Sequence, residues 1–168
     1  MASLKVLENY GIQFQIKVIS LLLSDKEFLT NIIDVLDPEF FPSQAHKWIV
    51  GEIKSYFSNF HTSPTLEVLK IELQKLQNDV LQVSIKEQLK NAYTLNPEDA
   101  DYVKEEFTNF CKNQKLKSAL LNSVNLLQDG NFEQIRDLID DALKASQDKN
   151  IGMDFVFDIV ERYKEDHR

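Results

Sequence analysis

Apolar residues recur at three- and four-residue intervals along almost the whole chain, and little interrupts them. Four glycines and four prolines in 168 residues are too few turn formers for an all-β architecture, and the period is that of a helix. The broadest stripe is Ala45, Trp48, Ile49, Ile53, Tyr56, Phe57 and Phe60, with Glu52, Lys54 and Ser55 assigned to the outer side. Neither βαβ alternation nor a GxGxxG run is present, which disfavours α/β nucleotide-binding folds. The sequence therefore predicts an all-α chain. A globular lobe of about five helices spans 1–95, an αα-hairpin spans 96–148, and a linker segment with an amphipathic helix spans 149–168.

Within that frame, Gln13 to Leu23 forms the first helix. Gln13, Gln15 and Lys17 interrupt its apolar run, no small-residue cleavage site follows, and it is shorter than the roughly 20 residues a bilayer span needs. It reads as a buried helix of a cytoplasmic protein. Ser24 or Asp25 caps a second helix carrying Phe28, Leu29, Ile32, Ile33 and Leu36, which Pro38 ends. Ser63 caps, and Pro64 opens, a helix with Leu66, Leu69, Leu73 and Leu76 on one face. Roughly 80–93 presents Leu81, Ile85, Leu89 and Tyr93.

Residues 96–131 read as one long helix whose stripe changes phase across Lys112–Lys115. It passes from Val103, Phe107 and Phe110 to Leu116, Leu120, Val124 and Leu127. Asp129-Gly130 closes it, and Asn131 starts a helix with Phe132, Ile135, Leu138, Ile139, Ala142 and Leu143. So short a turn sends the second helix back beside the first. Val156, Ile159, Val160 and Tyr163 share one side of a last helix that is too short to persist without a surface to dock on.

Signals for chemistry are missing. Gly11, Gly51, Gly130 and Gly152 stand apart and none belongs to a GxxxxGK[ST] loop, so the chain lacks that device for holding ATP. His46, His61, His167 and Cys111 show no metal-ligand spacing, and no GxSxG occurs. One cysteine permits no internal disulfide. His46, in the first turn of its helix, faces a dipole that opposes protonation, so a neutral ring with a local hydrogen bond is expected. A net charge of −8 disfavours general coating of DNA, and Lys104, Lys112, Lys115 and Lys117 read as a solvated face with at most weak, indirect DNA contact. No catalytic, cofactor or metal residue is assigned, and protein contact is the function left.

One resemblance sharpens this. Leu22 to Asp25, the Leu-Asp-Pro-Glu-Phe-Phe run from Leu36 to Phe41, His46 to Ile49, and Pro64-Thr65 resemble the N-terminal collar domain of DnaB-type replicative helicases. The later run from Asn113 to Lys144 is similar to that domain's helical hairpin, and Asn150 to Glu165 resembles the linker into the ATPase motor, most closely in T-even-type phage helicases. The resemblance implies a non-catalytic oligomerisation domain acting in DNA replication, with ATP and Mg bound only by a motor that would follow residue 168. It implies self-association through Leu116, Leu120, Val124, Leu127, Ile135 and Ile139 into a dimer or ring, and docking of a linker through Val156, Ile159, Val160 and Tyr163. Primase and a helicase loader are the implied partners, and the host cytoplasm is the implied location if the chain is phage-encoded. The alternative is a stand-alone helical adaptor, such as a loader or an inhibitor that mimics the collar.

Overall fold

The computed structural model describes residues 6–145. Among them there is no strand. The chain runs through α1 (Ile12–Ser24), α2 (Lys26–Ile32), α3 (Gln44–Phe60), α4 (Leu66–Gln74), α5 (Asp79–Thr94), α6 (Ala100–Asp129) and α7 (Phe132–Ala145), with short 3-10 turns at Leu7–Tyr10 and Pro38–Phe40. The all-α class expected from periodicity is what forms. Two compact units divide inside α6, one ending at Thr108 and the other beginning at Asn109. Val156, Ile159, Val160, Tyr163 and the rest of the segment 149–168 lie outside the described residues.

In the first unit α3 packs against α5, and α1 lies against α2, α3 and α5. The side chains that α1 to α3 bring together (Ile19, Leu22, Leu29, Ile32, Ile49 and Ile53) are at most 1% exposed. Each such burial contributes about 1.5–3 kcal/mol relative to exposure. Phe107, near the start of α6, joins this core with its ring 6.0 Å from Phe41 and 6.4 Å from Phe28. Polar ties hold the same layer together. Lys104 Nζ reaches Asp25 at 3.0 Å, and Lys17 Nζ reaches Asp99 at 2.9 Å.

Local chemistry sets the helix starts. Asp25 accepts from the Phe28 amide, Ser43 from that of His46, Thr65 from that of Val68 and Asn78 from that of Leu81. Three boundaries depart from the sequence reading. The long helix begins at Ala100 rather than at 96, after a turn at 98–99. The second helix ends at Ile32 rather than at Pro38, because the chain tightens there. The Val35 and Leu36 amides both donate to the Ile32 carbonyl, turning Val35 and Leu36 into the core. The fourth helix is capped by Thr65 rather than Ser63. The Ser63 hydroxyl instead donates to the Leu22 carbonyl at 2.7 Å, tying the connection to α1.

In the second unit α6 and α7 form a hairpin closed by a single glycine. The Asn131 amide donates to the Leu126 carbonyl at 2.9 Å and the Gly130 amide to the Leu127 carbonyl at 3.2 Å, the paired bonds of a Schellman ending. Gly130 sits at φ 81°, the left-handed conformation this ending requires.

Candidate functional site

Most of the residues expected to carry self-association contribute to an apolar cluster within the hairpin. Leu116, Ile135 and Ile139 cluster with Ala119 and Ala142, and Leu120 and Leu127 pack against that cluster. Ile139 is 8% exposed and Ile135 only 4%. Val124 is half-buried. Leu121 and Phe132, by contrast, are 58% and 56% exposed. From sequence, Phe132 counts among the apolar residues of α7 and Leu121 has no assigned role. The signal was present in the Leu120-Leu121 pair, since two adjacent leucines on a helix cannot share one face.

His46 is fully buried, and its hydrogen bond is not local. Its Nε2 lies 2.9 Å from Gln88 Oε1 on α5, so the ring joins α3 to α5. Nδ1 has no hydrogen-bond partner among the described residues. Burial holds its pKa below the ordinary histidine value, with the bond to Gln88 opposing. Desolvation opposes protonation of the ring. With the Phe41 ring edge-on at 6.1 Å, this histidine is a packed cross-tie.

The four lysines have different surroundings. Lys104 is held by Asp25 and by Asp101 at 3.5 Å, and those carboxylates raise its pKa. Lys112 and Lys115 are half-buried, and Lys117 is exposed. Among the described residues, no group of His, Cys, Asp and Glu is arranged to hold a metal ion, and no helix is long and apolar enough to cross a membrane.

One open groove of about 230 Å³ lies between the second half of α3 and α4. Glu52 and Glu72 supply its charge, Ser55 and Asn59 further polar groups, and Tyr56, Phe60, Pro64 and Val68 its apolar surface. The Tyr56 and Phe60 rings lie 4.6 Å apart, and Phe60 is 62% exposed. Glu52 is half-buried rather than on the outer side, and burial raises its pKa, with the Glu72 charge adding to the rise and Lys75 opposing. Lys54, also assigned outward from sequence, instead reaches the Leu36 carbonyl at 2.6 Å. Just beyond Phe60, His61 ends α3 at φ 59°, a left-handed conformation rare outside glycine, and its amide caps the Phe57 carbonyl at 2.7 Å. That sharp ending sets α4 against the aromatic end of α3. Comparison with known proteins gives no match: no family model, no curated protein and no solved structure is similar to this chain.

Proposed function

We propose that this chain is a non-catalytic oligomerisation and protein-interaction domain of a replicative DNA helicase, of the collar type its sequence motifs resemble. The observation that carries the reading is the hairpin. It closes an apolar core of its own and still leaves Leu121 and Phe132 more than half exposed. An amphipathic hairpin with large apolar side chains left outside suits association with a sister copy. Primase and a loading protein are the further partners that the resemblance supplies, and ATP hydrolysis belongs to a motor domain rather than to these residues.

Static light scattering over a range of concentrations tests it. Apparent mass is expected to rise towards twice the chain mass. Phe132→Asp and Leu121→Asp should hold the chain monomeric while preserving its helical circular dichroism. Ile139→Asp is the contrasting control. Placing a carboxylate in the buried cluster should unfold the hairpin outright, at a cost of several kcal/mol. A wild-type chain that stays monomeric at the highest concentrations would sink the proposal.

A further inference from the structure

The groove between α3 and α4 has a chemistry that the hairpin reading does not use. Two carboxylates from different helices, Glu52 and Glu72, face one small cavity. Lys75 bonds Glu72 Oε1 at 3.0 Å, but two-thirds of the Lys75 side chain is in solvent. A carboxylate accepts about four hydrogen bonds, so Glu72 keeps acceptor capacity and Glu52 contributes its own. Phe60 is 62% exposed, with its ring 4.6 Å from that of Tyr56.

Size and lining narrow the occupant. At about 230 Å³ the groove is below the roughly 300–1,000 Å³ of pockets for drug-sized ligands and cofactors, so it fits one side chain. Hard divalent cations need six or more oxygens or several retained waters; Glu52, Glu72, Ser55 and Asn59 offer only part of such a set, so magnesium is the competitor that the titration tests. An ammonium is a compact point charge, whereas a guanidinium is planar, stacks on aromatic faces and forks onto carboxylates. The chain's net charge of −8 favours a basic partner at long range.

We propose that this groove receives an arginine side chain presented by a partner protein, with Glu52 and Glu72 accepting its N–H groups and the Phe60 and Tyr56 rings lying against its plane. This does not rest on the hairpin reading, since every residue involved lies in the unit that ends at Thr108.

The test is a titration of the full 168-residue chain with N-acetyl-arginine N-methylamide, followed by NMR at the Glu52, Tyr56, Phe60 and Glu72 signals. The norleucine analogue, the lysine analogue and magnesium chloride are titrated in parallel. Saturable shifts confined to the groove, with a dissociation constant on the order of 1 mM, are expected for arginine. Glu52→Gln and Glu72→Gln should each weaken binding about two- to fivefold, and Phe60→Leu by a similar factor. Thermal melts keep the readout separate from folding, and Glu52→Gln should melt no lower than wild type, because burial already disfavours the Glu52 charge. Equal shifts from norleucine, tighter binding of lysine or magnesium, or arginine binding untouched by the double glutamine variant would each overturn the proposal. Hairpin association, measured separately by light scattering, is unaffected by any of these outcomes.

Discussion

His46 shows how one residue's role is set by its neighbours rather than by its position in a helix. Its Nε2 faces the half-buried Gln88 at 2.9 Å while the ring itself is buried, so protonation would place a charge where burial disfavours it. The ordinary histidine value is 6.5, and burial puts the folded-state value below it. The unfolded chain therefore takes up this proton first as pH falls. Stability from this group is complete above about pH 6.5, declines as pH drops towards the folded value, and levels off below that value. Urea midpoints measured from pH 7.5 to 5 should show the decline in wild type and lose its His46 component in His46→Leu. Gln88→Leu takes away the partner that the buried Nε2 has on α5 and should cost about 1–3 kcal/mol at neutral pH. A Gln88→Leu midpoint equal to wild type would mean that the cross-tie contributes nothing. Glu52 responds with the opposite sign. Its raised folded-state pKa makes its contribution fall as pH rises from the free-carboxylate range to the folded value.

At the scale of helices and turns, Gly130 is the sharpest test. A Cβ there would meet nothing within 4 Å, yet φ is +81°. Backbone strain is thus the whole penalty, and Gly130→Ala should destabilise the hairpin by about 1–2 kcal/mol. Gly130→Asn should cost less, because asparagine enters the left-handed region more readily. Equal thermal melts for wild type and Gly130→Ala would count against the Schellman ending. This turn was legible in advance, because Asp-Gly between two apolar stripes has few other uses. The cap at Asp25 was legible for the same local reason. What sequence left open was decided by distant partners. Ser63 and Thr65 are both competent caps, and Thr65 takes the role because the Ser63 hydroxyl is engaged by Leu22 across 41 residues. Glu52 looked solvated because its helix neighbours Lys54 and Ser55 are polar, while Glu72 and Lys75, which lie near it, arrive later in the chain. The groove pairs Glu52 with Glu72, and no periodicity within a single helix reports a meeting between two.

For the molecule as a whole, charge and apolar surface pull association in opposite directions, and salt separates them. Each copy carries a net −8, so two copies repel over a Debye length of about 30 Å at 0.01 M salt and about 8 Å at 0.15 M. The side chains offered for self-association, Leu121 and Phe132, are uncharged, and contact between them is not screened. Raising salt from low to physiological strength should therefore strengthen self-association, with the concentration of half-dimerisation falling several-fold. Binding of the arginine probe to the α3–α4 groove should weaken over the same range, since there the charges attract. Light scattering and NMR titration on one salt series read both responses. Self-association that weakens with salt would mean that copies meet through ion pairs instead. The hairpin's outward apolar residues would then not be the contact.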